Sequence, residues 1–262
     1  MIWKYVRTGG RFVRFAAVLA AAALNYYFTI RRRGKSSDLA ARAEWMSRYA
    51  RRILAVLNIH VRRHGTPPAS GLLVANHLSY VDILVLGSAQ PMVFLSKSEV
   101  RDWPIFGPLT ACAGTLFIRR NQRSDVARFD ESFTAIVNQG MVLGIFPEGT
   151  SSNGHQVLPF HSSLFARGAA AGWPVTPAWL GYELANGSVE NDVCYWGDMT
   201  FFSHVLRLLT LDQINATVVY GTPAPTGLDR KQLARHLHGQ VCELFAQQRT
   251  VPVSGTGRSA AG

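Results

Sequence analysis

The sequence predicts an α/β fold: a mixed, largely parallel sheet flanked by helices, preceded by an N-terminal membrane-associating helical segment. Three observations carry this. From 71 to 225, apolar runs of four to six residues alternate with helical stretches, the pattern of strands joined by crossover helices. Two polar turns, at 76–82 and 147–151, each follow an apolar run, as ligand-bearing turns do at strand ends in α/β sheets. The positive charge is also lopsided. Residues 1–65 hold 14 Lys/Arg against 2 Asp/Glu, while the other 197 hold 13 against 14. A cationic first quarter points to an anionic surface as partner.

The elements follow in order. Residues 15–30 are uncharged, short of the ~20 residues a straight span needs. Basic groups flank both ends, Lys4, Arg7, Arg11 and Arg14 before and Arg31, Arg32, Arg33 and Lys35 after, so the positive-inside rule gives no orientation. This predicts a helix lying in, or dipping into, one leaflet, with Trp3, Tyr26 and Tyr27 at headgroup level. The alternative is a signal peptide cleaved near residue 23. Residues 38–57 predict a basic amphipathic helix, with Trp45, Tyr49, Ile53 and Leu57 recurring every four residues, either packed on the domain or touching the membrane. Residues 58–63 predict an edge strand, and 64–71 a turn rich in Gly and Pro. Further strands are predicted at 71–75, 92–95, 115–119, 142–146, 174–181, 192–196 and 215–220. Helices are predicted at 79–88, 98–102, 105–112, 124–138, 161–171 and 228–249. The apolar stretch 199–211 reads as core or, by preference, a second membrane-facing patch. The resulting division is 1–64 as a membrane-association region, 65–250 as the α/β domain and 251–262 as a disordered tail rich in Gly, Ser and Ala.

The first polar turn holds His77 and Asp82. A carboxylate can fix an imidazole's tautomer and stabilise the imidazolium while the other ring nitrogen takes a proton from a hydroxyl. The competing reading is helix capping, since Ser79 and Asp82 form a capping-box pattern. The second turn, Phe146-Pro147-Glu148-Gly149-Thr150-Ser151, puts polar groups after an apolar strand; Pro147 stiffens the strand end and Gly149 frees the backbone. Arg119 ends another apolar run, and its planar fork suits a phosphate. Lys97 reads by preference as a solvated lysine, the alternative being added charge on the same side. Three scattered cysteines and no zinc spacing fit a reducing compartment.

Together these stretches resemble the glycerolipid acyltransferases, the 1-acylglycerol-3-phosphate acyltransferases and their lysophospholipid relatives. Asn76-His77…Asp82, Gly114…Arg119, Phe146 to Thr150 and Val175-Thr176-Pro177-Ala178 match that family's ordered motifs over roughly 65–225. The resemblance implies an enzyme in which His77 is the general base and Asp82 orients it. Asn76, Lys97, Arg119, Glu148, Gly149, Thr150 and His161 would contact substrate. A fatty acyl group would pass from an acyl-CoA or acyl-ACP, a co-substrate, directly to a lysolipid hydroxyl, with no cofactor and no metal. The implied acceptor is 1-acyl-sn-glycerol-3-phosphate, giving phosphatidate. The implied partners are the lysolipid, the thioester donor (a free coenzyme or an acyl carrier protein) and an anionic membrane surface at the cytoplasmic face of the inner membrane.

Two departures favour another headgroup, such as a lyso-ornithine lipid: Ser151 and His161 stand where many members carry Arg and Lys. A non-catalytic lipid-binding protein of the same fold is the other alternative. Nucleic acid is disfavoured because no basic aromatic motif accompanies the charge. A thioester hydrolase is disfavoured because no Gly-x-Ser-x-Gly elbow occurs.

Overall fold

The computed structural model describes residues 2–118 and 123–250; the predicted tail, 251–262, and Arg119 lie outside the described residues. Helix α1 (Ile2–Tyr26) continues through a π-helical turn (Tyr27–Arg31) and is followed by α2 (Leu39–Leu57). Then come β1 (Ile59–His64), β2 (Gly71–Ala75), α3 (Val81–Ala89), β3 (Val93–Lys97), α4 (Phe106–Cys112) and β4 (Leu116–Ile118). The chain goes on through α5 (Arg123–Asn138), β5 (Val142–Ile145), α6 (Ala166–Ala171), β6 (Val175–Leu184), α7 (Val189–Asp192), α8 (Phe201–Thr210), β7 (Ile214–Tyr220) and α9 (Arg230–Thr250).

The strands form one sheet in the order β1-β7-β6-β2-β5-β3-β4. Strands β6, β2, β5, β3 and β4 are mutually parallel. Strand β7 runs antiparallel to β6, and β1 runs parallel to β7. The sheet is therefore mixed and largely parallel, as expected. Strand β1 is its edge, so the sheet begins ahead of residue 65. Central strand β2 is buried along its whole length, which is why its sequence is continuously apolar. Strand β7 alternates buried and half-buried positions.

Helices cover both faces. One core joins α1, α2, α3, α4 and α8 through residues such as Phe15, Trp45, Val85, Leu109 and Leu208. The other joins α5, α6 and α9 through Phe133, Ile136, Ala169 and Leu237. Asp38 caps α2 by accepting from Ala41 N at 2.9 Å, and the buried stripe of Trp45, Tyr49, Ile53 and Leu57 faces inward. Trp45 Nε1 donates to Ala22 O at 3.2 Å and Tyr49 OH to Ala21 O at 3.1 Å. Helix α2 thus pins α1 to the domain, while Arg48, Arg51 and Arg52 stay exposed. The guanidinium of Arg11 reaches carbonyls at the end of α8, including Asp212 O at 3.0 Å and Leu211 O.

Two expectations change. The run 192–196 is not a strand. Val193 N and Cys194 N bond back to Val189 O at the end of α7, and Tyr195 N donates to Leu78 O at 2.8 Å. Its amides are spent on a helix end and a neighbouring turn, so its apolar character reflects burial rather than pairing. The stretch 199–211 holds α8, which is partly core and partly exposed. Val205, Leu208 and Leu209 are buried while Phe202 is 67% exposed.

Strand β2 starts with Gly71 at φ +90, where an added Cβ would come within 2.3 Å of Pro174 O. A Gly71→Ala variant is expected to lose about 2–3 kcal/mol from this strain and close contact, measured as a lowered melting temperature.

Candidate active site

Strand β2 ends at Ala75, and the chain turns through Asn76 to Tyr80 before entering α3. Neighbouring elements tie this turn down residue by residue. Buried Asn76 donates from Nδ2 to Leu180 O and accepts at Oδ1 from Leu180 N, both at 2.8 Å. Its side chain stands in for one more rung of the β2–β6 ladder. His77 N donates to Glu148 Oε1 at 3.3 Å, and His77 O accepts from Ser152 N at 2.9 Å.

The two side chains of the expected dyad meet. His77 Nδ1 lies 2.8 Å from Asp82 Oδ2. With a carboxylate as acceptor, Nδ1 carries the proton, leaving Nε2 to accept one. The imidazole stacks on the Phe146 ring at 4.1 Å between centroids and 17° between planes, so its orientation is fixed from the flat side as well. Asp82 has no exposed surface. Its Oδ2 also accepts from Leu78 N at 2.7 Å and Ser79 N at 2.9 Å, and its Oδ1 accepts from Tyr182 OH at 2.6 Å. The capping and orienting roles of Asp82 therefore coexist: one carboxylate closes the turn and holds the imidazole.

His77 opens onto a cavity of about 250 Å³ lined also by Tyr80, Lys97, Trp103, Thr150 and Tyr195. Among the described residues Lys97 is the one lysine or arginine in that lining. A second cavity, of about 130 Å³, is walled almost wholly by apolar groups of α1, α2, α4 and α8. Tyr80, Ile83, Val100 and Trp103 line both, so a polar chamber and an apolar chamber meet at one aromatic partition. Tyr80 is held there by a 2.8 Å contact between its OH and His204 Nδ1. Burial lowers the pKa of His204 from 6.5 to about 4, so it is neutral at physiological pH.

Of the sequence-expected residues, His77, Lys97, Gly149 and Thr150 line the first cavity. Asn76 and Glu148 are buried behind it. His161 is exposed outside that lining, with its backbone N–H on Pro147 O at 2.9 Å. Tyr182, Tyr80, His204 and the Phe146 ring were missed. Tyr182 and His204 sit in apolar runs, where nothing in the pattern sets a working polar tip apart from core, while Tyr80 and Phe146 fall within the two turns but read there as packing.

Glu148 is turned inward beneath the turn. Burial raises its pKa from 4.5 to about 8, the nearby Asp82 charge adds to this, and the bonds from His77 N and Leu158 N oppose it. It is therefore a neutral acid at pH 7.

The chain is similar to known proteins in sequence and in fold. The family model described as Acyltransferase matches residues 57–181. A lyso-ornithine lipid O-acyltransferase of Pseudomonas aeruginosa is 36% identical over 85% of this chain and 88% of its own length. The chain belongs to the acyltransferase family. A 1-acyl-sn-glycerol-3-phosphate acyltransferase of Neisseria meningitidis is 36% identical over 52% of this chain and 55% of its own. The crystal structure of the 1-acyl-sn-glycerophosphate acyltransferase PlsC from Thermotoga maritima shares the fold. Its TM-score is 0.59 at 17% identity, over 92% of this chain and 98% of that one.

Glu148 gives this acyltransferase a pH-dependent weakness. In the unfolded chain the carboxyl ionises near 4.5, whereas the folded state resists ionisation up to about 8. Its contribution to stability is thus complete below the unfolded value and lost as pH rises towards the folded one. Glu148→Gln keeps an acceptor for His77 N without the charge. The variant's melting temperature is expected to gain on the parent's as pH goes from 5 to 9; a constant difference would contradict this.

Proposed function

We propose that this acyltransferase moves a fatty acyl group from an acyl thioester to the free hydroxyl of a lyso-ornithine lipid, at the cytoplasmic face of the cell membrane. The observation that carries the transfer is the orientation of His77, locked by Asp82 with its second nitrogen left free at a chamber that adjoins an apolar one. Nε2 takes the hydroxyl proton as the oxygen attacks the thioester carbonyl. The tetrahedral intermediate expels the thiolate, and the imidazolium returns the proton to it. Asp82 stabilises the imidazolium in between. No cofactor enters, because the thioester is already activated. Free acyl-CoA and acyl carrier protein conjugates both present that group. The apolar chamber beyond Tyr80 has the character to take the near part of the aliphatic chain.

The headgroup assignment rests on two supports. Similarity to the Pseudomonas relative runs over most of the chain, well beyond the stretch shared with the Neisseria glycerophosphate enzyme. Ser151 and His161 also replace cations that would favour a phosphate; Ser151 Oγ instead donates to Tyr195 O. Lys97 keeps the 1-acyl-sn-glycerol-3-phosphate reading alive as the second choice, since it offers one cation to an anionic headgroup.

The N-terminal region suits work at a lipid surface. Val6–Arg31 is long and apolar enough to cross a membrane. The large exposed apolar side chains include Phe12, Val13, Leu24 and Phe28 of α1 and its extension, Ile105, and Phe202 and Leu206 of α8. Exposed apolar surface rimmed by arginines is the pattern of an interfacial anchor.

Purified protein given acyl-CoA or acyl carrier protein donors and a lysolipid panel is expected to release thiol and acylate lyso-ornithine lipid in preference to lysophosphatidate. The opposite preference would overturn the headgroup assignment. His77→Ala is expected to lower turnover by about 10²–10⁴-fold. Unchanged turnover in His77→Ala would refute the mechanism. Replacing Phe12, Phe28 and Phe202 together by Ser is expected to weaken sedimentation with anionic liposomes.

A further inference from the structure

We propose that Tyr182 is a positioning residue of the His77–Asp82 dyad, setting both the direction and the strength of the carboxylate that faces the imidazole. The phenol is buried on β6 and donates to Asp82 Oδ1 at 2.6 Å. That oxygen is the one His77 does not use. The other three donors to Asp82 sit on Oδ2, two of them amides of its own turn. Among the described residues, Tyr182 alone reaches the carboxylate from outside the 77–82 turn, and so it fixes the rotation of the carboxyl plane about the Cβ–Cγ bond. Two residues back on β6, Leu180 clamps Asn76. Alternate positions of β6 therefore hold the residue before His77 and the partner of its ring.

The electrostatic consequence follows from the surroundings. The titratable groups near Asp82 are His77 from the turn, Tyr182 from β6, Tyr80 at the start of α3, Cys194 from the segment after α7 and Glu148 after β5. Burial keeps Tyr182 and Tyr80 in their neutral forms, pushes Cys194 up to about 12 and Glu148 to about 8. With no cation among these groups, hydrogen bonds set how much negative charge Asp82 presents to His77. A donor on Oδ1 draws some of that charge away. Removing it makes the carboxylate a stronger acceptor, binds the Nδ1 proton more tightly and favours the imidazolium.

The test is Tyr182→Phe in the full chain, with two readouts. The first needs no substrate: the downfield proton resonance of the His77 Nδ1–H bond in detergent micelles, assigned by its loss in His77→Gln. It should move further downfield in Tyr182→Phe. The second is kinetic and rests on the acyl-transfer reading. With whichever lysolipid is turned over, kcat should fall about tenfold, because a carboxyl free to rotate no longer holds the ring in line and this loss of positioning outweighs the gain in basicity. KM for both substrates should hold, and the acid limb of the pH–rate profile should move to higher pH. A fall in kcat with both the resonance and the acid limb unmoved would mean that Tyr182 only fills space, and the proposal fails. Should Tyr182→Phe not fold, 3-fluorotyrosine at position 182 keeps the shape and makes the phenol a better donor. The resonance should then move upfield, and an unmoved one overturns the proposal. Because the resonance is read without turnover, loss of the lysolipid assignment would leave this test standing.

Discussion

A carboxylate with no access to water constrains everything around it. Removing Asp82 from solvent costs several kcal/mol unless its lone pairs are filled by donors of good geometry. Here they are filled from three directions: two amides of its own turn, the His77 ring and the Tyr182 phenol. Those donors can converge only if the end of β2, the start of α3 and the middle of β6 are neighbours. The strand order β6-β2-β5 supplies that adjacency. The same order places the turn after β5 on the far side of His77, where Glu148 and Ser152 take up its backbone N–H and C=O. The turn that carries His77 is thus held between two strands rather than left as a free loop, which is what the proposed general base needs if its ring is to stay aimed.

Holding the turn this way has an electrostatic cost that the fold meets by burial. Besides His77, titratable groups packed near Asp82 are potential anions, among them Glu148, Tyr182 and Cys194. Were any of them charged at neutral pH, they would compete for the His77 proton. Burial keeps all three neutral, so a single negative charge faces the imidazole. A neutral Glu148 beneath the turn can act as a hydrogen-bond acceptor for His77 N without adding a second charge. Its place in the Phe-Pro-Glu-Gly-Thr stretch is then explained by the backbone of the base, while Gly149 and Thr150 beside it line the chamber.

How much of this was legible in the sequence depends on chain distance. The strand-to-helix turn, the His77–Asp82 pair and the second turn at 146–151 could be read because each is local: five residues apart, or contiguous. The alternation of apolar runs gave the sheet, and the four-residue spacing of Trp45, Tyr49, Ile53 and Leu57 gave the buried stripe of α2. What could not be read is what arrives from far along the chain. Tyr182 lies 100 residues from Asp82 and His204 lies 124 from Tyr80, and both sit among apolar neighbours that disguise them as core. The 192–196 run misled for the reverse reason. Its apolar residues suit a strand, but Val193 and Cys194 are buried, and Tyr195 half-buried, by closing over the site, and periodicity cannot tell burial by pairing from burial by coverage.

The division of labour between the two faces of the sheet follows from the same geometry. The dyad sits at the end of β2 with its ring towards the face covered by α1, α2 and α8, since Tyr80 and Ile83 join that core. That is also the face whose outer surface carries Phe12, Phe28 and Phe202. An apolar chain entering from a lipid layer would therefore meet, in order, the exposed side chains of α1 and α8, the apolar chamber between these helices, the Tyr80–Trp103 partition and the imidazole. A polar headgroup would stay on the Lys97 and Thr150 side of the partition. Under the proposed function, anchoring, chain accommodation and proton transfer would be successive depths of one structure. The aromatic partition held by His204 is the point at which a change of side-chain size would couple chain fit to the position of the reacting oxygen.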